Sequence, residues 1–438
     1  MSDASNTNEP TQQSLQRHIG LAGATALGLG AILGTGVFVT LVTAAQAHGI
    51  NVLVGIVIAA VAATCNGLSS AQLAAAYPVS GGTYEYAYRL LNPMSGFCAG
   101  WLFLCAKSAS AAAAALGAAN YLQHLWPHAL PLPSQWLAVM ILLMVGFIAI
   151  AGIRLANWFN SILVVMSMSA LGCFVWESGA ISSPSFVLQS LRDSFTWWDS
   201  FHAAAIMFVA FTGYGRIATL GEEVKQPRQT IPKAVLSTLL LTGTIYLIVA
   251  LAVLHLLGSS QTFVDENSEP LRLLSLAEKG LSSFAIGWIS IGALAAMLAV
   301  ENNLILGLSR VVLAMARRGD LPNRFAQLGA RTSSPTHALG VVVLAIAATI
   351  LFSEFKVAWE FSALTVLIYY GMTNLCALRL TRNERMFPVW VPFLGITLTA
   401  FLTVFIDLWL WGVAFGLLLL GVVVRSLVQK TRISANFS

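Results

Sequence analysis

The sequence carries very little charge. Asp, Glu, Lys and Arg together make up 9% of its 438 residues, whereas 57% of the residues are hydrophobic. A soluble globular protein has about 25% charged residues, so the composition excludes that class and indicates a chain with many membrane spans. The formal net charge of +5 does not indicate a nucleic-acid-binding protein, because the basic residues are scattered between the apolar runs.

The cysteine and histidine patterns exclude two further kinds of site. The five cysteines contain no Cys-x-x-Cys pair and all lie in apolar segments, at Cys65, Cys98, Cys105, Cys173 and Cys376. An odd number of cysteines in such positions predicts free, buried thiols and no disulfide framework. The seven histidines show no metal-ligand spacing, so we expect no metal site and no cofactor.

Residues 1–18 lack the apolar core and cleavage site of a signal peptide. They are polar and rich in Ser, Asn, Thr and Gln, so we expect a disordered tail that is retained. Beyond this tail, apolar runs separated by polar breaks predict twelve membrane-spanning helices. Spans 1 to 12 cover approximately residues 19–48, 51–75, 97–121, 135–153, 156–178, 200–220, 234–257, 283–316, 337–353, 358–380, 387–406 and 408–428. The predicted fold class is an all-α polytopic membrane protein.

The distribution of Lys and Arg predicts the orientation of the spans. With a cytoplasmic N-terminus, seventeen of these residues fall in inside segments and only four in outside segments, at Arg192, Arg272, Lys279 and Lys356. Because inside loops of membrane proteins are enriched in Lys and Arg, both termini are predicted to be cytoplasmic. We expect an integral protein of the plasma (cytoplasmic or inner) membrane, with its inner loops in contact with anionic lipid.

Span 1 has an unusual glycine content. The run from Ile19 to Ala47 contains no charged residue but has six glycines between Gly20 and Gly36. Glycine disfavours a helix by about 1 kcal/mol relative to alanine, so the central Gly34-Thr35-Gly36 triplet is where the helix opens most easily. Open backbone at membrane depth occurs only where it is buried in protein or lines a cavity. The triplet therefore predicts a broken helix at a substrate site, in preference to simple close packing of helices.

Span 6 repeats this feature, with Gly213 and Gly215 near its middle. It crosses the membrane in the opposite direction to span 1, which predicts that spans 1–5 and 6–10 are inverted repeats. Two interrupted helices at equivalent positions of such repeats indicate a transporter binding site. The predicted organisation is a cytoplasmic tail (1–18), a first repeat (19–180), an inverted repeat (198–380), spans 11 and 12 (387–428) and a cytoplasmic tail (429–438).

Four motifs, taken together in this order, resemble the amino acid–polyamine–organocation (APC) superfamily of transporters. They are Gly-Thr-Gly-Val-Phe at 34–38, Pro-Val-Ser-Gly-Gly-Thr-Tyr at 78–84, the segment 222–234 with its Glu-Glu-Val-Lys-Gln-Pro start, and the segment 309–322 ending Arg-Arg-Gly-Asp-Leu-Pro. The resemblance covers nearly the whole chain. It implies a LeuT-like fold of five-plus-five inverted repeats with discontinuous helices 1 and 6, but it does not specify the substrate.

The resemblance also implies that a zwitterionic amino acid binds between spans 1 and 6. Amides around Thr35 and Gly36 would face its carboxylate, and the carbonyls of Ile32, Val209 and Thr212 would face its ammonium group. The partial charges at the ends of two broken helices of opposite direction agree with this arrangement. The predicted substrate-binding residues, including three aromatic rings that would cover the substrate side chain, are Ile32, Gly34, Thr35, Gly36, Phe208, Val209, Phe211, Thr212, Gly213 and Tyr214.

Among the ionisable residues inside predicted spans, Lys107 in span 3 and Glu301 in span 8 are the informative ones. Each costs about 3 kcal/mol or more at the bilayer centre unless it is partnered or hydrated, so such residues are usually functional. Counted from the cytoplasmic helix ends, the two residues fall at similar depth. We expect them to line the central cavity, either bridged to each other or separated by substrate, and to act in proton coupling, in side-chain selection or as a structural ion pair.

Two departures from the superfamily leave the coupling ion open. Many proton-coupled relatives carry a lysine in span 5 where this chain has Ser167. Three alternatives follow: Lys107 substitutes for that lysine, Ser167 helps to bind a sodium ion, or the protein exchanges substrates without an ion. Arg216 follows a glycine where relatives often have an acidic residue. It is predicted either to form an inner gate with Glu222, Glu223 or Glu301 or to reach the cytoplasmic surface.

The function predicted from the sequence is secondary active transport of an amino acid by alternating access, in symport with H⁺ or Na⁺. The alternatives are an exchanger of amino acids, amines or polyamines without ion coupling, a sensor that binds but does not transport, and a membrane-embedded enzyme. An enzyme is disfavoured, because no cluster of catalytic residue types falls at one depth. We expect no obligate protein partner and no nucleic-acid partner.

Overall fold

The computed structural model describes residues 19–79, 81–126, 132–180, 195–219, 224–259, 273–278, 280–329 and 335–436, with backbone only at 153–154, 259 and 433–436. Within these residues the regular secondary structure is helical, apart from one isolated parallel bridge between Ile19 and Val224. The all-α fold class is therefore confirmed. The predicted tail 1–18 lies outside the described residues.

The described residues include nine helices that are long and apolar enough to cross a membrane. They are Asn51–Ala76, Pro93–Leu125, Ser134–Ala151, Leu155–Glu177, Trp197–Ala218, Pro227–Gly258, Ser283–Arg318, Phe355–Leu378 and Leu408–Arg432. These correspond to predicted spans 2 to 8, 10 and 12.

Three further elements occupy the remaining predicted spans. Span 1 is a pair of helical segments, Leu21–Ile32 and Gly36–His48, bent by 44° at the break between them. Spans 9 and 11 are shorter apolar helices, Thr336–Phe352 and Trp390–Thr403. The two-fold relation between spans 1–5 and 6–10 stays a prediction.

Shorter helices lie between the spans. They are Thr83–Leu90, Leu273–Ala277 and the 3₁₀ segment Asn323–Ala326. The helix of span 12 continues to Asn436, so the described part of the predicted tail from residue 429 is helical, and its cytoplasmic location stays a prediction. No Pro or Gly follows residue 421 to end the helix earlier.

Span 3 lies at the centre of the bundle and span 12 at its edge. In the most apolar stretch of each helix, 89% is buried for Pro93–Leu125 and 17% for Leu408–Arg432. The alanine-rich centre of span 3 lets neighbouring helices approach closely, as small residues do in membrane proteins. Span 8 packs antiparallel against it, with the sulfur of Met297 beside Gly117 and that of Met315 beside Gly100.

A polar network lies on the predicted inner face, where the helix Thr83–Leu90 meets the ends of spans 8 and 12. Arg318 donates to both carboxylate oxygens of Glu85, at 2.8 and 2.5 Å. Asp320 accepts from the Tyr84 hydroxyl at 2.8 Å and from Arg425 Nε at 2.7 Å. This inner-face network ties the segment after span 2 to two distant parts of the chain.

Candidate functional site

The break in span 1 presents unused backbone donors. The first helical segment ends at Ile32, and the second continues as a π-helical turn from Gly36 to Thr40. In the part of the chain that the structure describes, the N–H groups of Gly34, Thr35 and Gly36 form no backbone hydrogen bond. These are the first N–H groups of a restarted helix, where the backbone favours an anion.

Span 6 is interrupted more mildly. Its α-helix ends at Phe211, a single 3₁₀ turn covers Thr212–Tyr214, and an α-helical turn follows at Gly215–Ala218. The sequence predicted an open helix here, whereas the structure has a tightened turn within one continuous span. The hydroxyl of Thr212 donates to the Val209 carbonyl at 2.8 Å, which stabilises the turn.

The two interruptions lie against each other. Gly213 packs directly on the backbone carbonyl of Ala31, so a Cβ atom at this glycine would overlap it. A Cβ atom at Gly36 would lie 2.5 Å from the Cβ of Ala210. Only glycine permits these approaches, and the glycines of both spans therefore bring the two breaks into contact.

Tyrosine hydroxyls donate hydrogen bonds to carbonyl oxygens at the breaks. Tyr246 in span 7 donates towards the carbonyls of Ile32 at 3.1 Å and Ala210 at 2.9 Å, and so connects spans 1 and 6. Tyr370 in span 10 donates to the Thr212 carbonyl at 3.1 Å. Neither tyrosine was predicted from the sequence, because a tyrosine inside an apolar run resembles an ordinary core residue. Only its need for a buried hydrogen-bond partner distinguishes it.

The three predicted aromatic residues are buried around these tyrosines. Phe211 packs edge-on against Tyr246, with ring centroids 5.0 Å apart, and Phe208 packs edge-on against Tyr370 at 6.1 Å. Tyr214 lies 5.2 Å from Tyr370. These three residues of span 6 thus pack around the two tyrosines. Gly34 of span 1 instead lies against Val300 of span 8, and Thr35 lies against Gly117 of span 3.

Lys107 reaches this place from span 3. Its ammonium group donates to the hydroxyl of Thr212 at 2.8 Å, and the side chain is buried. The two residues share a cavity of about 20 Å³, which has room for about one water molecule. The cavity is lined by Ala31, Phe103, Lys107, Thr212, Gly213, Gly215, Arg216, Thr219, Asn303, Leu304 and Gly307.

Glu301 is not brought to Lys107. Its carboxylate is fully buried but accepts no hydrogen bond from the described residues, so the predicted direct bridge to Lys107 is wrong for this structure. The cavity of Lys107 is lined in span 8 by Asn303, Leu304 and Gly307, of which Asn303 is only two residues from Glu301. Glu301 therefore lies near the cavity along the helix without lining it.

Ser167 lies in span 5, away from the cavity. Its hydroxyl donates to the Val164 carbonyl of the same helix at 3.0 Å. The residue of span 5 that packs directly against the backbone of span 1, at Gly30, is Asn160, whose side-chain oxygen accepts from Asn303 of span 8 at 2.5 Å. This pair of asparagines, which was not predicted from the sequence, links spans 5 and 8 beside span 1.

Arg216 follows the break of span 6 and is buried. It lines the same cavity as Lys107. Because Glu301 accepts no hydrogen bond from the described residues, the predicted pairing of Arg216 with Glu301 is wrong. The other two predicted partners, Glu222 and Glu223, lie outside the described residues.

A larger cavity of about 780 Å³ lies between spans 3, 9, 10 and 12. Apolar side chains dominate its lining, and Phe352 and Trp409 at its border are exposed on the outer surface of the bundle. None of the described residues that line it is Asp, Glu, Lys or Arg, so its described lining offers no charged group to a charged substrate. The small cavity at the breaks is the better candidate site.

Removal of the Tyr246 hydroxyl should destabilise the contact between spans 1 and 6. We expect Tyr246→Phe to cost about 1 kcal/mol, because two buried carbonyl oxygens lose this donor. The thermal unfolding midpoint of the purified protein in detergent would report the loss. Tyr86→Phe is the matched control, since the hydroxyl of the equally buried Tyr86 has no hydrogen-bond partner in the described part of the chain. Equal midpoints for the two variants would contradict a tethering role for Tyr246.

Comparison with known proteins adds a family relationship. The sequence profile of the family described as "Amino acid permease" matches residues 23–437. An uncharacterized transporter of Mycobacterium tuberculosis is 37% identical to this chain, over 93% of the chain and 90% of the relative. A branched-chain amino acid permease of Bacillus subtilis is 27% identical over 74% of the chain and 72% of the relative. A cationic amino acid transporter of Mus musculus is 25% identical over 84% of the chain and 60% of the relative.

Proposed function

We propose that this chain, which belongs to the amino acid permease family of the APC superfamily, is a secondary active transporter. It moves an amino acid across the membrane by alternating access. The family consists of transporters, so the membrane-embedded enzyme considered from the sequence is set aside. The protein is an integral membrane protein whose substrate class is amino acids.

The observation that carries the proposal is the meeting of two helix breaks inside the membrane. The unused N–H groups of Gly34, Thr35 and Gly36 in span 1 suit a carboxylate. The carbonyl groups at the end of the α-helix of span 6, at Val209 and Thr212, suit an ammonium group. One zwitterion can satisfy both, and a membrane interior makes unsatisfied backbone groups costly.

The closed packing of the breaks supports a mechanism with more than one state. A cavity of about 20 Å³ does not admit an amino acid, and tyrosine hydroxyls bind the carbonyls of Ile32 and Thr212. Substrate entry therefore requires that spans 1 and 6 separate and that these hydroxyls give up their acceptors. Opening of this contact alternately to each side of the membrane is alternating access.

We further propose that transport is ion-coupled symport, with Lys107 as the first candidate for the coupling residue. Lys107 contacts the break of span 6 directly, whereas the hydroxyl of Ser167 is bonded within its own helix. Exchange without an ion is the second candidate. The named relatives carry different substrates, among them branched-chain amino acids and methylthioribose, so their names do not select one substrate for this chain.

Uptake by purified protein in liposomes tests the proposal. The liposomes receive a panel of labelled amino acids, with a proton gradient, a sodium gradient or an unlabelled internal amino acid imposed separately. We expect accumulation of at least one amino acid that depends on one ion gradient. Uptake that requires only the internal amino acid would show exchange. Binding without transport in all three conditions would indicate a sensor, and neither binding nor transport by folded protein would overturn the proposal.

The proposal includes a plasma-membrane location with both termini in the cytoplasm. Reporter fusions at the two ends provide the test. A reporter active only outside the cytoplasm should be inactive at both positions, and activity at either would contradict the orientation.

A further inference from the structure

We infer that Lys107 selects against substrates with a cationic side chain, so that the substrate is an amino acid whose side chain is neutral or acidic. Arginine, lysine and polyamines would then be excluded. The inference rests on the proposed function and narrows its substrate class. It concerns a residue of span 3 at the break of span 6, and it does not depend on which ion is coupled.

The Lys107 ammonium group lies at the break of span 6. It donates to Thr212 Oγ1 at 2.8 Å, and the same hydroxyl donates to the Val209 carbonyl at 2.8 Å. Only the Thr212 side chain thus separates the positive charge of Lys107 from the Val209 carbonyl, which is assigned to the substrate ammonium group. The α-ammonium and α-carboxylate groups are common to every amino acid, so their interaction with Lys107 does not distinguish one substrate from another. A cationic side chain adds a repulsion from Lys107 that a neutral or acidic side chain lacks.

None of the described residues that line the surrounding cavity is Asp or Glu. Glu301, the acidic residue of span 8, does not line the cavity and accepts no hydrogen bond from the described residues. A cationic substrate side chain entering the cavity would therefore meet the Lys107 ammonium group and no carboxylate among the described lining residues.

Coulomb's law gives the size of the expected loss of affinity for a cationic substrate. Two like unit charges about 8 Å apart, at an effective dielectric constant of about 20, lower an affinity roughly 30-fold. Citrulline and arginine form a matched pair for this measurement, because they have the same length and differ in side-chain charge. Competition by each against the amino acid transported in the liposome assay gives an affinity ratio that needs no variant.

The experiment compares this ratio in the wild type, Lys107→Met, Lys107→Glu and Lys233→Met. We expect citrulline to compete about 30-fold better than arginine in the wild type. The ratio should fall towards 1 in Lys107→Met and favour arginine in Lys107→Glu. Lys233→Met is the control, because it removes the same charge from an exposed position at the inner end of span 7 and should keep the wild-type ratio. Ligand-induced thermal stabilisation of purified protein measures the ratio for any variant that binds but does not transport.

Three results would overturn the inference. Equal competition by arginine and citrulline in the wild type would show that no charge selection exists. A ratio that Lys107→Met and Lys107→Glu leave unchanged would place the selection elsewhere. A preference for arginine that Glu301→Gln abolishes would assign it to Glu301. In each case the protein still transports an amino acid, so the proposed function survives; if no amino acid is bound or transported, both fall together.

Discussion

Gly213→Ala is expected to reduce amino acid uptake by about 10- to 100-fold. The added methyl group would overlap the backbone carbonyl of Ala31, which cannot turn aside as a flexible side chain can. Insertion of one methylene into a packed core typically costs about 1–3 kcal/mol. Here the cost falls on the contact between spans 1 and 6, so the geometry of both breaks changes. Uptake into liposomes, at equal amounts of reconstituted protein, measures the effect.

Gly340→Ala in span 9 is the matched control for this substitution. No atom lies within 4 Å of the position that a Cβ would take at Gly340. Alanine is favoured over glycine in a helix by about 1 kcal/mol, so this variant should be at least as stable as the wild type and should transport normally. If Gly213→Ala transported as well as Gly340→Ala, the close approach of the two breaks would not be needed for transport.

Arg425→Met is expected to give the largest loss of stability, about 3–5 kcal/mol. Asp320 and Arg425 form a buried ion pair at 2.7 Å, with side chains 1% and 9% exposed. Removal of one partner of such a pair leaves the other charge buried and uncompensated. The variant should unfold at a clearly lower temperature in detergent, and the double variant Asp320→Asn/Arg425→Met should recover part of the loss.

Lys430→Met controls for the loss of a positive charge from the same helix. Lys430 is exposed and forms no ion pair with the described residues, so its replacement should leave the unfolding midpoint unchanged. If Arg425→Met unfolded at the wild-type temperature, the inner-face network would not hold span 12 to the bundle.

The fold was largely predictable because a bilayer constrains the length and composition of each span. Every predicted span has a helix in the structure, and most helix ends differ from the prediction by a few residues. The larger error is in span 12, where the helix continues past the apolar run to Asn436. Apolar patterning does not register the end of a helix that leaves the membrane in a polar environment.

The absence of a bond between Lys107 and Glu301 was not predictable for a geometric reason. Counting from the cytoplasmic helix ends assumes that both ends lie at the same level. The two helices have 33 and 36 residues, which corresponds to about 50 Å or more, whereas the apolar core of a bilayer is about 30 Å thick. Each helix therefore extends well beyond the membrane by an amount that the sequence does not give.

The partners of the broken backbone were also hidden from the sequence. Glycines identify where a helix opens, but they do not identify what satisfies the groups that it exposes. Tyr246 and Tyr370, whose hydroxyls bind carbonyl groups at the breaks, come from spans 7 and 10. Their roles depend on which helix faces are brought together, and this is decided by packing across the whole bundle.

The central claim is that the two breaks bind the two charged groups of one amino acid, and substrate analogues test it most directly. The transported amino acid, its amide and the matching acid without the amino group would each compete for uptake by the wild-type protein. The amide lacks the carboxylate assigned to Gly34, Thr35 and Gly36, and the acid lacks the ammonium group assigned to the carbonyls. We predict that both analogues compete at least about 100-fold less well than the amino acid, since each loses charge-assisted hydrogen bonds worth about 1.5–3 kcal/mol apiece. Competition by either analogue at the level of the amino acid itself would contradict the account.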